Sequence, residues 1–485
     1  MGRAPTLTIV NAHDTVTHRL DLLPMWPGLR ALEAVPTLAH ALDGKVSLLP
    51  VPADDPARTE LLARTQRAGD PIDADVAIVA CTSGSTGTPK GAMLTAANLR
   101  ASIDATHSRL GGPGQWLLAT PPSHIAGLQV LLRTLRAGEV PVAMELSDGF
   151  RPSSLADAIA AMSGRRRYTS IVPLQLGRIL GDAEATAALA SLDGVLVGGQ
   201  ATSPELLRRA RAAGVTVLTS YGSSETSGGT VYDGRPLDGA DISIADGDGD
   251  GYGYGYGDGY GDGTEGCSGG RGKDRSEESP RGATPGGVTP GTAGPGRIVV
   301  SGPMVSRGYR NVDDPDLADG VFRTSDAGSF DHSGGTADSS DSSDPGGPGG
   351  GPVLRVLGRM DDVIISGGLK FLPGPIEDAL TSLGDVAAAA VVGVPHPELG
   401  HAVVAAVTLH DADSPSPGAT PPDPSAADTG AIEEHLRARL APVLDKHQVP
   451  RAVFVVKQLP TLPSGKLDRT GLAATLAARW GMMSE

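Results

Sequence analysis

Two cysteines in 485 residues, Cys81 and Cys267, are too few for a disulfide framework or a cysteine-built metal cluster. Cations are also in the minority. The 40 Lys and Arg face 56 Asp and Glu, and a net charge of −16 argues against a surface built to neutralise nucleic-acid phosphates. No run approaches the roughly 20 apolar residues of a membrane span. The opening residues lack the basic-then-apolar layout of a secretory leader. Met1-Gly2-Arg3-Ala4-Pro5-Thr6 matches the bare myristoylation pattern, but nothing else in the chain points to a membrane anchor. These absences set the expectation of a cytoplasmic chain in a reducing compartment, with no nucleic-acid partner and no membrane span. Aromatics are scarce as well, at 3%, whereas Gly (67) and Pro (39) are abundant.

Much of that glycine excess is local. Residues 241–296 run through Asp-Gly and Tyr-Gly repeats with no apolar period, and 331–352 and 411–428 have the same character. Such segments cannot bury enough apolar surface to offset the cost of ordering them, so all three are expected to be disordered insertions on surface loops. The Gly-Asp run lacks the nonapeptide period of a calcium-binding repeat. The remainder is long enough for two or three cored domains and reads as α/β. Strand-like runs at 194–197 and 215–218 alternate with helical segments such as 204–212. A second, smaller βα pattern follows residue 359, with strands at 388–392, 402–409 and 452–456 and a helix at 432–441.

The densest signal is Cys81-Thr82-Ser83-Gly84-Ser85-Thr86-Gly87-Thr88-Pro89-Lys90-Gly91, between the strand-like 76–80 and the helix-like 95–99. A Gly/Ser/Thr loop leaving a strand offers free backbone N–H groups, hydroxyls and a cation, which together suit a polyphosphate. The NTPase P-loop, G-x-x-x-x-G-K-[ST], fails at two defining positions, because Pro89 precedes Lys90 and Gly91 follows it. The loop instead resembles the phosphate-binding signature of the acyl-adenylate-forming enzymes, which include the acyl-CoA synthetases and peptide-synthetase adenylation domains. Further segments of that family follow in order: Pro121-Pro122-Ser123-His124, Gly198-Gly199-Gln200, Tyr221-Gly222-Ser223-Ser224-Glu225-Thr226, Arg323-Thr324-Ser325-Asp326, Gly358-Arg359-Met360-Asp361, Ser366-Gly367-Gly368 and Pro463-Ser464-Gly465-Lys466.

The resemblance implies an α/β fold with a large multi-sheet N-terminal adenylating domain, 1–358, and a small mobile α+β C-terminal domain, 359–485. It implies ATP and Mg²⁺ as cofactors, CoA as co-substrate and a small-molecule carboxylate as the acid. Thr82, Ser83, Gly84, Ser85, Thr86, Gly87, Thr88 and Lys90 would cradle phosphates. Thr226 would bond the α-phosphate and Glu225 would hold the metal. Tyr221 and Gly222 would meet the adenine, with Gly198, Gly199 and Gln200 allowing close backbone approach. Asp326 and Arg359 would take the ribose, although Ser325 stands where the family usually has glycine. Lys466 would bridge the attacking carboxylate and the α-phosphate. Asp361 would be the hinge, and Ser366, Gly367 and Gly368 would pass the pantetheine arm of CoA. A homodimer is admitted as an assembly that no residue pattern decides.

Within the family, Pro-Ser-His-Ile-Ala-Gly-Leu-Gln with Arg133 nine residues after His124 resembles the o-succinylbenzoate–CoA ligase branch. His124 would lie beside the carboxylate under attack. Arg133 would pair with a second, unreacting carboxylate, and Gln175 would sit near the aromatic ring. Three alternatives stay open: another acyl- or aryl-CoA ligase, an adenylation enzyme that loads a separate carrier protein, and an Arg133 that faces solvent like Arg136.

Overall fold

Parallel strands covered on both faces need apolar residues on both faces, and Gly194-Val195-Leu196-Val197 supplies them. A computed structural model of the chain describes residues 17–82, 88–146, 149–245, 295–331, 352–410, 429–461 and 467–484. In it Gly194–Gly198 lies mid-way in a seven-stranded sheet. Leu196 joins one hydrophobic core, while Val195 and Val197 join another on the opposite face. Five strands of this sheet run parallel: Val142–Ala143, Gln115–Leu118, Arg167–Ile171, Gly194–Gly198 and Val217–Ser223. Gly228–Tyr232 and Arg235–Pro236 complete it in antiparallel pairing.

A five-stranded sheet precedes it, in the order Pro71–Asp73, Thr17–Met25, Ser47–Pro52, Val76–Cys81, Gly91–Thr95. The helices Ala96–Arg109 and Ile125–Arg136 lie between the two sheets. Their Leu99, Ile103, Leu128 and Leu131 share one core with Leu48 and Ile78 of the first sheet and Trp116 and Leu118 of the second. The first of these helices begins on a capping box: Asn98 donates its N–H to the Thr95 hydroxyl, and the Thr95 N–H donates to the Asn98 side chain.

The third sheet is antiparallel and buries one face. Ile242 and Ile244 alternate with half-exposed neighbours, as do Ile298 and Val300. Its last strand, Val353–Arg359, leads through the 3-10 turn Met360–Asp362 into the fourth sheet. There Pro373–Thr381 and Thr429–Leu440 pack on one face and Arg469–Ser484 on the other. The molecule is therefore a large N-terminal α/β domain followed by a smaller α+β C-terminal domain. No helix among the described residues is long and apolar enough to cross a membrane.

The structure trims the expected insertions. The interiors of the three tracts, 246–294, 332–351 and 411–428, lie outside the described residues. The first five residues of the first tract, Asp241–Ala245, form a strand paired with Gly296–Ser301, and Asp331 ends the strand Val321–Asp331. Ile242 and Ile244 provide the alternating apolar face that the Gly-Asp composition downstream conceals. Because Ala245 is opposite Arg297 in that ladder, the two ends already stand side by side and a few residues can join them. Replacing 247–294 by a short Gly-Ser turn is expected to leave melting temperature and turnover nearly unchanged. Extending the cut back to Asp241 should unfold the sheet, as thermal melts of the two deletions would show.

Candidate active site

In open α/β sheets, ligands bind beyond the carboxyl ends of parallel strands. Here those ends deliver the expected motifs together. Gln115–Leu118 leads to His124, Arg167–Ile171 to Gln175, Gly194–Gly198 to Gly199 and Gln200, and Val217–Ser223 carries Tyr221 and Gly222 into Glu225 and Thr226. The phosphate loop joins two antiparallel strands of the first sheet, Val76–Cys81 and Gly91–Thr95. Its core, Ser83, Gly84, Ser85, Thr86 and Gly87, lies outside the described residues. Thr82 closes its base by donating its N–H to the Lys90 carbonyl at 2.9 Å.

The segment 304–311 ties this hairpin to the Glu225 loop. Met93 donates its N–H to the Gly308 carbonyl at 2.9 Å, and Arg310 donates to the Gly91 carbonyl at 2.8 Å. Ser306 donates to the Glu225 carbonyl at 2.8 Å. Tyr309 reaches the Glu225 side chain itself, its hydroxyl donating to Oε1 at 2.7 Å. Burial, reinforced by the Glu225 charge, pushes the Tyr309 phenol well above its ordinary value, so the proton stays on the tyrosine.

Two residues expected at the phosphates have partners within the protein. The Thr226 hydroxyl is spent inside its own turn: it donates to the Gly228 carbonyl at 2.7 Å and accepts from the Ser223 N–H at 2.9 Å. Thr226 is 1% exposed and shapes the loop that carries Glu225. The neighbouring Ser223 has a buried hydroxyl with no partner among the described residues. Lys90 points its ammonium at Asp314, 2.7 Å away, and over the Tyr309 ring at 5.0 Å. Its charge anchors the base of the loop to 304–314. Glu225, by contrast, is buried and keeps a carboxylate beside this loop. No cluster of three acid, histidine or cysteine side chains occurs among the described residues. The donor set therefore fits a magnesium ion held by one carboxylate together with substrate phosphates, and not a metal caged by protein alone.

Three residues expected at the nucleoside lie close together. The Tyr221 hydroxyl donates to Asp326 Oδ2 at 2.8 Å, and Asp326 faces Arg359 across adjacent strands. Arg359 also bonds Asp361 at 2.6 Å. Gly199 adopts φ +80°, open to glycine at little cost. Gly222 is needed for a different reason: a Cβ there would stand 2.1 Å from the Gly228 carbonyl oxygen, so strand packing and not the nucleotide demands glycine. Removing the Asp326 carboxylate with Asp326→Ala is expected to raise KM for ATP about 10- to 100-fold, the worth of a hydrogen bond to a charged group. KM for the acid should hardly move in the same initial-rate series.

On the acid side, His124 is the N-cap residue of Ile125–Arg136. Gln175 is corrected from a ring neighbour to a brace. Its amide donates to the Ala119 carbonyl at 2.8 Å and accepts from the Val172 N–H at 3.0 Å, locking the ends of two parallel strands together. Gln129, one turn beyond Ile125, donates to the Ser227 carbonyl at 2.5 Å, beneath the Glu225 loop. Arg133 lies one turn further. The solvent-facing alternative fails, since Arg133 is 3% exposed while Arg136 pairs with Asp104 at the surface. The Arg133 guanidinium stacks over Trp116 at 4.8 Å and donates to the Tyr232 hydroxyl at 3.2 Å, and its Nε has no partner among the described residues. Burial, followed by the Arg133 charge, pushes nearby His107 down to about 4.

In the C-terminal domain, Gly367 and Gly368 both have positive φ, +58° and +81°, at the two-residue turn between Ile364–Ser366 and Leu369–Phe371. That turn geometry by itself favours glycine, asparagine or aspartate at both positions. Lys466 lies outside the described residues, but the ends of its segment are pinned by the Thr461–Leu467 bridge and by the Asp468 N–H on the Pro460 carbonyl.

The AMP-binding enzyme family model matches residues 11–252, and the AMP-binding enzyme C-terminal domain matches 375–466. A probable 2-succinylbenzoate–CoA ligase of Mycobacterium tuberculosis is 41% identical over 87% of this chain and 90% of its own length. The chain belongs to the AMP-binding enzyme family. Another member, a feruloyl-CoA synthase of Amycolatopsis, is 30% identical over 81% of this chain and 68% of its own. In fold, the chain is similar to the o-succinylbenzoate coenzyme A synthetase of Bacillus subtilis solved with ATP and magnesium. The TM-score is 0.64 with 22% identity, covering 94% of this chain and 90% of that one. The two AMP-binding family matches fall on opposite sides of the Met360–Asp362 turn.

Proposed function

We propose that this AMP-binding enzyme is a carboxylate–CoA ligase whose acid is 2-succinylbenzoate. The carboxylate attacks the α-phosphorus of ATP and expels pyrophosphate. The CoA thiol then attacks the acyl carbon of the adenylate and expels AMP. Asp326, Arg359 and Tyr221 hold the nucleoside, and Glu225 would hold a magnesium ion, which would offset the charge of the phosphates. Lys466 neutralises charge that develops during adenylation, a role that depends on placed positive charge. The similarity to the Mycobacterium tuberculosis ligase supports this acid.

The observation that carries the choice of acid is Arg133. A buried guanidinium needs an anion, and the groups that perturb Arg133 include no carboxylate, only burial and Tyr232. The second carboxylate of a diacid would answer that need. Arg133 shares its helix with His124 at the N-cap, and its guanidinium lies against the Trp116 ring and the Tyr232 hydroxyl. The feruloyl-CoA synthase similarity favours a second reading, an aryl monocarboxylate, in which Arg133 is structural only. Coupled pyrophosphate and AMP release across a panel of aryl mono- and diacids, with and without CoA, tests both. The diacid should be preferred, and AMP release should require CoA.

A further inference from the structure

We propose that Tyr309 is a positioning residue for the Glu225 carboxylate and so sets the magnesium dependence of nucleotide binding. Three observations meet at this side chain. Its hydroxyl donates to Glu225 Oε1 at 2.7 Å. Its ring underlies the Lys90 ammonium, which Asp314 holds from the other side. Its backbone bridges Ala92 in the strand that leaves the phosphate loop. The carboxylate and the loop base thus share one rigid support, although they come from different sheets.

The hydrogen bond has a chemical consequence. A carboxylate has two oxygens, and an O–H held on Oε1 fixes its rotation, leaving Oε2 as the oxygen with free capacity. Ser306 fixes the backbone of the same residue by donating to the Glu225 carbonyl at 2.8 Å. Glu225 is therefore preset in orientation, and less freedom is lost when it engages a cation. Phenylalanine at 309 would keep the ring under Lys90 and remove only this restraint.

The inference rests on the reading of Glu225 as the magnesium-holding carboxylate, and the experiment separates the two. Binding of an α,β-methylene ATP analogue is measured by calorimetry without any acid, in EDTA and at stepped Mg²⁺ concentrations. Tyr309→Phe is expected to match the wild type in EDTA while needing about tenfold more Mg²⁺ for half of the Mg²⁺-dependent gain, the scale of one charge-assisted hydrogen bond. Glu225→Gln should lose that gain in either background, so the double variant should be no worse than Glu225→Gln alone. An unchanged or tighter Mg²⁺ response in Tyr309→Phe overturns the role of Tyr309 while leaving Glu225 in place. Equal weakening in EDTA and in Mg²⁺ would also overturn it, reducing Tyr309 to a packing residue. A normal Mg²⁺ response in Glu225→Gln would remove the underlying reading as well.

Discussion

Lys466→Ala is expected to slow acyl-adenylate formation by about 10²–10³-fold or more, the worth of one preorganised charge contact in a transition state. Thioester formation from supplied acyl-adenylate and CoA should continue near the wild-type rate. The reason is electrostatic. In the proposed reading Lys466 meets the charge that develops around the α-phosphate as the carboxylate attacks, and the small domain has carried it away before CoA displaces AMP. The substitution should leave the fold intact, because the segment's flanks are held by backbone bonds at Thr461, Leu467 and Asp468 that do not involve the lysine side chain. Pyrophosphate release reports the first half, and AMP release from synthetic adenylate reports the second. Equal loss in both halves would contradict the assignment.

The second large effect concerns the acid. Arg133→Leu should lower kcat/KM for 2-succinylbenzoate by about 10²-fold, since truncating one partner of a buried charge pair costs about 2–5 kcal/mol. KM for ATP should barely change, because the proposed nucleotide contacts are Tyr221, Asp326 and Arg359. A monocarboxylate analogue should be a poor substrate for the wild type and lose less on mutation. Lysine at 133 should restore only part of the activity, as it keeps the charge but lacks the planar group that lies over Trp116 and reaches Tyr232. Thermal stability separates a substrate role from a structural one. Replacing an unpaired buried cation by an apolar residue should not lower Tm, whereas loss of a core arginine that serves the fold would. Unchanged diacid kinetics would shift the reading to a monocarboxylate.

The fold was legible where local chemistry is decisive. Pro204–Ala212 is a helix over the residues its Ser-Pro start and apolar spacing indicate, and Val386–His396 and Gly400–Leu409 are the strands their apolar runs announce. Misplacements occur where tertiary pairing overrides the local pattern. Val215 and Thr216 precede the strand Val217–Ser223, which extends instead into Tyr221 and Gly222 because Gly228–Tyr232 pairs there. The site motifs were readable in order, but the use of each hydroxyl and charge was not. The Thr226 bond to Gly228, two residues on, is the kind of local turn a threonine makes, but nothing local says that Lys90 finds Asp314, 224 residues away. Tyr309 was missed for the same reason: it acts on a carboxylate 84 residues earlier, and a tyrosine between glycine and arginine carries no periodic signal.

The Met360–Asp362 turn limits how the two domains can swivel. On its upstream side, Arg359 is laddered to Asp326 in the third sheet. Downstream, Asp362 is bonded to Arg469, which opens the last helix and grips Glu377 through both guanidinium nitrogens. With Asp361 as the proposed hinge, a chain held at both ends would pivot in between, about the backbone torsions of Met360 and Asp361. The described elements tied to Asp362 through Arg469 would then turn together.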